Sequence, residues 1–426
     1  MFADIFKLGW RNILRNKRRT FFTLLAIVVG VMSVIFGRSY VAGIIDAISE
    51  ATVKLQTGHV RIAQEEFLRL ERIMPKEYMV TGLNRLIPSL AALPGVTSVA
   101  ARIKFNALLG HNEKNEAAVV MGIDPVSADK SMDISKTICR GNYFKNPGQG
   151  QQLVIGKKLA EELGVTVNDE LLLVTTDIDY STYALPFTVA GIFETGFSML
   201  DKHVLYIPIN KAREMLNCGD AAHEILVFLE DPRQADPAAR RIRQELSPLD
   251  PRRTIKVIPW QENEIIKDTV PLFETTFGII MGILMFIVGL VILNTMLMAV
   301  MERYQEIGVI KALGFKNREI FSLVLVEALY ISVIGSAIGG IIGGTLAAIV
   351  EKNGLDMTEM MGKGVFEKMD IPVPFFGKVL YTELTPAILF GSMAFGIVIA
   401  LLAVIYPAVK ASRMDPVEAL RSQLKV

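Results

Sequence analysis

Four long stretches of the chain contain no charged residue, and each has the length of a membrane-spanning helix. They cover residues 20–37, 275–301, 328–350 and 384–409, with 18, 27, 23 and 26 residues. A helix needs about 20 apolar residues to cross a hydrocarbon core of about 30 Å. The pattern predicts four transmembrane helices at residues 20–45, 271–301, 320–350 and 384–409. Four such runs are rare in one soluble core, which disfavours a large soluble enzyme.

A shorter amphipathic pattern precedes the first span. Apolar side chains recur at helical spacing in residues 2–14, with charged side chains on the opposite face. This pattern predicts that residues 1–19 form a helix lying on the cytoplasmic membrane surface. The apolar run after it exceeds the roughly 7–15 residues of a signal-peptide core, and no small-residue cleavage site follows, so we expect an uncleaved anchor.

Residues 46–270, between the first two spans, carry the pattern of a water-soluble domain. β-Branched runs predict strands at residues 58–62, 96–103, 117–123, 171–175, 187–192, 204–207 and 224–229, with helices at 82–93, 157–163 and 235–246. Strands and helices alternate too irregularly for a parallel sheet. The predicted fold class is a membrane α-helical protein with four transmembrane helices plus a large α+β extracytoplasmic domain between helices 1 and 2.

The net charge of +1 hides an asymmetry between the connecting segments. Residues 1–19, 302–319 and 410–426 together hold 14 basic and six acidic residues, a net +8. Residues 46–274 carry a net −5, and the loop 351–383 a net −2. Because Lys and Arg are retained on the cytoplasmic side, we expect both termini to be cytoplasmic and residues 46–270 and 351–383 to be external. The total also argues against a nucleic-acid partner.

Motifs of catalytic or metal chemistry are not found in the sequence. The nearest approach to a phosphate-binding loop, at residues 357–364, lacks the first glycine and the final hydroxyl residue, so we expect no nucleotide hydrolysis by this chain. Cys139 and Cys218 are open to two interpretations, one disulfide or two free thiols. The four histidines show no metal-ligand spacing, and we predict neither a metal site nor a catalytic residue; they are His59, His111, His203 and His223.

The segment 302–319, between spans two and three, combines charges with an apolar side. Its charged residues stand at spacings that allow ion pairs within a helix. Gly314 suits the left-handed residue that ends a helix. One interpretation is a turn whose charges serve only topology, and the other is a helix that docks a cytosolic partner. The residues concerned are Glu302, Arg303, Glu306 and Lys311, with Ile307, Val309, Ile310 and Leu313 on the apolar side.

The string ERYQEIGVIKALGF, at residues 302–315, resembles the coupling helix of the FtsX/MacB/LolC-LolE superfamily of ABC transporter permeases. Further strings agree in the family's order, from WRNILRNKRRTFFTLLAIVVGV through MGIDP, GNYF, LVIGKKLAEELGV and FTVAGIFETG to YPAVKASRMDPVEALR. The match is specific to the superfamily and not to a substrate.

The resemblance implies a bacterial inner-membrane permease subunit that is not itself an enzyme. It implies a second permease, as a homo- or heterodimer, and a separate cytosolic ABC ATPase that binds the ATP and Mg, with no cofactor in this chain. The second span would act as a stalk that moves the outer domain. The implied ATPase-coupling residues are Glu302, Arg303, Glu306, Ile307, Lys311 and Gly314.

Three functions remain open within the resemblance. The favoured one is extraction or export of a hydrophobic or lipid-anchored substrate, of the lipoprotein-releasing type, with an external acceptor protein. The second is MacB-like efflux of small molecules or peptides through an external adaptor. The third is FtsX-like signalling to an external hydrolase. The loop 351–383 is unusually apolar, and lying on the membrane, receiving an acylated cargo or packing on the outer domain would each explain it.

Small and charged residues within the spans add three expectations. Gly335, Gly339 and Gly343 repeat at four-residue spacing, which allows close helix packing either within the protomer or in a dimer. Arg38 is expected at the end of the first span, either snorkelling to the interface or contacting substrate. Glu327 is expected either near the inner interface or paired with a neighbouring helix.

Overall fold

A computed structural model of the chain describes residues 11, 15, 17–144, 150–196, 198–248, 250, 254–356 and 379–416. Most of the predicted surface helix in residues 1–19, most of the loop 351–383 and the tail from residue 417 onward lie outside the described residues. The chain divides into two units. Residues 47–270 belong to one, called here the large domain, and residues 1–46, 271–356 and 379–426 form the other, called here the helical unit.

The described helices and strands are as follows, in chain order. The helices are α1 Lys17–Thr52, α2 Glu65–Arg69, α3 Leu83–Ala91, α4 Pro125–Met132, α5 Lys157–Leu163, α6 Ser198–His203, α7 Ile209–Leu216, α8 Ala235–Leu246, α9 Glu264–Glu302, α10 Tyr304–Ala312, α11 Asn317–Asn353 and α12 Pro386–Ser412. The strands are β1 Val60–Gln64, β2 Val80–Thr81, β3 Val96–His111, β4 Lys114–Ile123, β5 Ile138–Gly141, β6 Gln152–Gly156, β7 Glu170–Thr176, β8 Thr182–Phe193, β9 Val204–Pro208, β10 Ala221–Ala222, β11 Glu224–Leu229, β12 Ile255–Pro259, β13 Leu355–Asp356 and β14 Val379–Leu380.

Four helices of the described chain, α1, α9, α11 and α12, are long and apolar enough to cross a membrane, which confirms the predicted spans. Helix α9 has 39 residues, or about 58 Å at 1.5 Å per residue, well beyond a core of about 30 Å. The sequence predicted such extra length for the second span only, but α1 and α11 also exceed the core. Arg38 lies inside α1 and not at its end, because α1 continues through polar residues to Thr52.

The glycines of α11 bring it into contact with two other spans of the same chain. A Cβ atom at Gly339 would lie 2.8 Å from the carbonyl oxygen of Val28 in α1, and Gly335 and Gly343 also face α1. Gly340 lies on a different side, where a Cβ atom would meet Met393 of α12 at 2.8 Å. The glycine spacing therefore serves packing within the protomer, the first of the two alternatives.

The large domain is built on a ten-stranded sheet in the order β12-β1-β11-β3-β4-β9-β6-β8-β5, with β7 pairing β3 and β8. Most pairs are antiparallel, and β4–β9 and β6–β8 are parallel. Side chains alternate across it, so that Leu205 and Ile207 join the core beneath α3, α5, α7 and α8 while Tyr206 joins a second core with α4. The sheet thus carries helices on both faces.

The predicted strands and helices of the large domain are confirmed, with small differences at most ends, but β3 continues from the predicted end at residue 103 to His111 and β8 begins at Thr182 rather than at residue 187. The sequence missed the strands β2, β5, β6, β10 and β12 and the short helices α2, α4, α6 and α7. Strand β6 was hidden because its five residues run directly into α5, so that the string LVIGKKLAEELGV resembles one helical pattern. Cys139 is exposed and Cys218 half-buried, and both thiols are free, so the disulfide interpretation is wrong.

Candidate functional site

The segment 302–319, between α9 and α11, contains the short helix α10, which ends before Gly314 as the sequence predicted. Glu302 is the last residue of α9, and Arg303, with φ −101° and ψ 20°, interrupts the helix before α10 begins. Gly314 has φ +99°, the left-handed conformation expected where a helix ends. Helix α11 then starts at Asn317, where the Glu319 carboxylate accepts a hydrogen bond from the Lys316 amide at 2.7 Å.

Helix α10 presents one buried and one exposed face. Ile307 is buried among apolar side chains of the helical unit, so it supports α10 from inside and does not lie on the exposed face. The exposed side chains after the break at Arg303 lie three or four residues from a neighbour and therefore share one face, and Glu302 lies just before the break. Leu313 is 77% exposed and Val309 46%. The exposed face, which we call the α10 face, consists of Glu302, Gln305, Glu306, Val309 and Leu313.

A chain of ion pairs, called here the coupling-helix network, holds α10 against two spans. Arg15 donates to both carboxylate oxygens of Glu306. Arg303 donates from Nε to Glu306 at 3.2 Å and from Nη1 to Glu327 at 3.1 Å. Arg19 in α1 donates to the other oxygen of Glu327 at 2.6 Å. Three segments far apart in sequence are thus joined by five side chains.

Glu327 is the buried centre of this network. Its side chain is 3% exposed, in the helix α11 that is long enough to span a membrane. A carboxylate in such a place is costly unless it is paired, and the two arginines supply that pairing. The structure therefore places Glu327 with neighbouring elements, the second of the two sequence-based alternatives. Sequence reasoning treated Arg15 and Arg19 only as topology signals and missed their partners.

The remaining predicted coupling residues also have partners inside the chain. Lys311 donates to the backbone oxygen of Met414, beyond the end of α12, at 2.6 Å. Partial burial would raise the pKa of Glu306, but the hydrogen bonds from Arg15 and Arg303 outweigh it and lower the pKa below its ordinary value. These charged residues thus hold α10 in place, and Val309 and Leu313 on the α10 face stay exposed.

A cavity of about 550 Å³ lies among α1, α9 and α12 in the helical unit. Its volume is within the range of small-molecule pockets. Two of its lining residues are charged, Arg38 of α1 and Glu274 of α9. A mostly apolar wall with a cation suits an amphiphile that has an acyl chain and a polar head. The apolar side chains in the wall include Val34, Val41, Phe277, Met281 and Phe395.

Two family models match the chain. The model described as FtsX-like permease C-terminal matches residues 278–416, and the MacB-like periplasmic core domain matches residues 20–245. The second match alone covers more than half of the chain. The chain belongs to this family of ABC transporter permeases. The resemblance of residues 302–315 and of the other strings is therefore confirmed, as is the fold class of a large mixed α/β periplasmic core domain with transmembrane helices.

Individual relatives are distant from this permease. The lipoprotein-releasing system transmembrane protein LolC of Xylella fastidiosa (strain 9a5c) is 24% identical, over 77% of this chain and 78% of LolC. The macrolide export ATP-binding/permease protein MacB of Wolinella succinogenes is 25% identical, over 99% of this chain and 61% of MacB. The pyoverdine export ATP-binding/permease protein PvdT of Pseudomonas fluorescens is 25% identical, over 99% of this chain and 60% of PvdT. The chain thus spans about three fifths of the two export proteins.

Proposed function

We propose that this permease couples ATP hydrolysis by a separate cytosolic ABC ATPase to movement of its large domain, and that it acts on a hydrophobic or lipid-anchored substrate. ATP and Mg would be bound by the ATPase, and this chain would contribute no catalytic residue or cofactor. A second permease, identical or related, would complete the complex in the bacterial inner membrane, with both termini in the cytoplasm. The charge distribution supports that orientation.

The α10 face is the proposed ATPase dock. It stands between two spanning helices, exposes Val309 and Leu313 to solvent, and is fixed from behind by the coupling-helix network. Exposed apolar side chains ringed by polar ones are typical of protein contact sites. Charge reversal at Glu306 would disturb the network as well as the face, so the apolar residues give the sharper test.

The dock is tested with Leu313→Glu in the full-length permease co-expressed with its ATPase. We expect co-purification of the ATPase to fall at least tenfold, because a charge replaces a central apolar contact. Val126→Glu is the matched control, since Val126 is 65% exposed on α4 of the large domain. If the Leu313→Glu variant binds the ATPase normally, α10 is not the docking site.

Lipoprotein release is the activity that the cavity favours. Its apolar wall with Arg38 and Glu274 would accept lipid chains and a polar head better than a water-soluble substrate. The relatedness to LolC agrees with this substrate class. The experiment is to reconstitute the permease, its partner permease and the ATPase in nanodiscs, and to measure ATP-dependent release of an acylated protein.

A cavity-filling substitution sharpens that experiment. A Cβ atom at Gly278 would meet no heavy atom within 4 Å, so Gly278→Leu projects into open space at the cavity wall. We expect release to fall while ATPase binding is kept. Ile283→Phe adds bulk to an exposed position of α9 outside the cavity lining and should leave release unchanged. Equal release by Gly278→Leu and the wild type would exclude this cavity as the substrate site.

Efflux of a small molecule or peptide with an external adaptor is the second candidate. It is supported by the relatedness to MacB and PvdT, each of which aligns with 99% of this chain, although LolC of Haemophilus influenzae also aligns with 93%. In the same nanodiscs, stimulation of ATP hydrolysis by a drug or peptide without lipoprotein release would favour efflux. Binding of an external hydrolase with no response to either cargo would instead indicate FtsX-like signalling.

A further inference from the structure

A group of charged side chains, called here the buried cluster, lies inside the large domain on one face of the sheet. Arg102 of β3 stands directly opposite Glu224 of β11, and both are fully buried. Arg102 donates from Nε and Nη2 to one oxygen of Glu224 at 2.8 and 2.6 Å. Arg61 and Lys104 donate to the other oxygen, and both also donate to Glu71. Neither the α10 dock nor the cavity uses these groups.

Arg102 differs from the other cations of the buried cluster because it also holds the end of the first long helix. After Thr52, α1 continues as a π-helical turn, Val53–Thr57. Arg102 donates from Nη1 to the carbonyl oxygen of Leu55 at 3.0 Å and from Nη2 to that of Gln56. The last carbonyls of a helix have no partner within it, and a cation there also complements the helix dipole.

The chain enters the sheet immediately after this contact. Gly58 has φ +63°, and its amide donates to the Val53 carbonyl at 2.8 Å. The His59 amide donates to Val227 of β11 at 2.9 Å, and β1 begins at Val60. Only two residues therefore separate the helical segment from the strand, which leaves no flexible linker at this junction.

Glu224 is ionised at neutral pH. Burial alone would raise the pKa of Glu224, but Arg102, Arg61 and Lys104 hold it well below its ordinary value. A buried ionic group is seldom retained for stability alone, because well-packed apolar residues serve as well. The guanidinium of Arg102 makes four hydrogen bonds from three nitrogens, whereas a lysine has only three N–H donors, all on one nitrogen.

We propose that Arg102 is a positioning residue that clamps the end of the first helix to the sheet, so that the two move as one body during the ATP-driven cycle. This rests on the proposed function. The structure shows the clamp in four hydrogen bonds from one guanidinium to Glu224, Leu55 and Gln56.

The test compares two identical substitutions in one cluster, Arg102→Lys and Arg61→Lys, in the full-length permease assembled with its partners. Both keep the buried positive charge, but only Arg102 touches the helix carbonyls. Amide hydrogen exchange at Gly58 and His59 measures the stiffness of the junction. We expect exchange there to rise about tenfold in Arg102→Lys and to stay near wild type in Arg61→Lys.

The second readout is the amount of acylated protein released per ATP hydrolysed in nanodiscs. Arg102→Lys should hydrolyse ATP but release at least fivefold less protein per ATP, whereas a merely unstable protein would lose both activities together. The clamp proposal is wrong if amide exchange at Gly58 and His59 is equal in the two variants. It is also wrong if Arg102→Lys releases as much acylated protein per ATP hydrolysed as the wild type. If the wild type releases no lipoprotein, the proposed substrate fails, and the exchange comparison alone then decides for or against the clamp.

Discussion

The coupling-helix network and the buried cluster are built on the same motif, a carboxylate held between arginines, but they differ in burial. Glu224 lies in the interior of a sheet, and its three partners, Arg61, Arg102 and Lys104, are at most 9% exposed. Glu327 is equally buried, yet its network runs outward to Arg15 and Glu306, which are 55% and 45% exposed. One arrangement is enclosed on all sides and stiff. The other is anchored at one end and open to solvent at the other.

The difference matches what each region is proposed to do. A dock that responds to an ATPase needs a surface end that can rearrange at low cost, and exposed ion pairs contribute only about 0–1 kcal/mol. A junction that transmits motion must resist rearrangement, and breaking a buried pair costs about 3–5 kcal/mol. The following predictions test this contrast, from the largest expected effect to the smallest.

Glu224→Gln should have the largest effect, a loss of about 3–5 kcal/mol in the free energy of unfolding of the large domain, because Arg102 then loses its carboxylate partner and Arg61 and Lys104 keep only Glu71. Thermal unfolding of the full-length protein in detergent measures it. Glu71→Gln removes a carboxylate from the same cluster at a position 35% exposed, and should cost clearly less. Equal losses in the two variants would show that burial does not determine how much each carboxylate contributes to the free energy of unfolding.

His223 makes the buried cluster sensitive to acid. Its Nδ1 accepts from the Lys104 amide at 3.1 Å, and its ring stacks on Phe67. Burial lowers the pKa of His223 to about 4, from an ordinary value of 6.5. At a pH between these two pKa values, His223 binds a proton in the unfolded chain but not in the folded protein. Stability should therefore fall as pH drops through this window, by up to about 1.4 kcal/mol per pH unit.

The measurement is the thermal unfolding midpoint of the large domain in the full-length protein, followed from about pH 7 to about pH 4.5. His223→Asn keeps an acceptor near the position of Nδ1 but cannot titrate, so its profile should be flatter across this range. A wild-type profile that matches the His223→Asn profile would show that another group governs the acid response.

Glu327→Gln tests the buried end of the coupling-helix network. Arg19 and Arg303 donate to different oxygens of Glu327, and the amide replaces one oxygen with an NH2 group that cannot accept, so one hydrogen bond and the carboxylate charge are lost and the anchor of α10 to α11 is weakened. We expect the affinity for the ATPase to fall about tenfold, or about 1.4 kcal/mol, in a binding titration in nanodiscs. Glu319→Gln is the matched control, since it keeps its acceptor at the start of α11. Equal affinities would exclude the network as the support of the dock.

The parts of this structure that follow local patterns were predictable from the sequence. The spans, the glycine spacing and most strands depend on residues close in the chain, as does the left-handed Gly314. The partners of Glu327 could not be predicted, because Arg19 is 308 residues away. Arg102 left a signal that was not used, a charged residue at a strand position whose neighbours Ala101 and Ile103 are apolar and buried.

Arg15→Gln should have the smallest effect, because it breaks the exposed pair with Glu306 and leaves Glu327 paired with Arg19 and Arg303. The expected loss in ATPase affinity is below about 1 kcal/mol, less than about fivefold, and it should vanish at about 1 M salt, where the Debye length falls to about 3 Å. Arg18→Gln, at an exposed neighbouring position, controls for the change in net charge. A loss of ATPase affinity as large as that of Glu327→Gln, persisting in high salt, would mean that the exposed Arg15–Glu306 end of the network is as rigid as its buried end at Glu327. The contrast with the buried cluster of the large domain would then not hold.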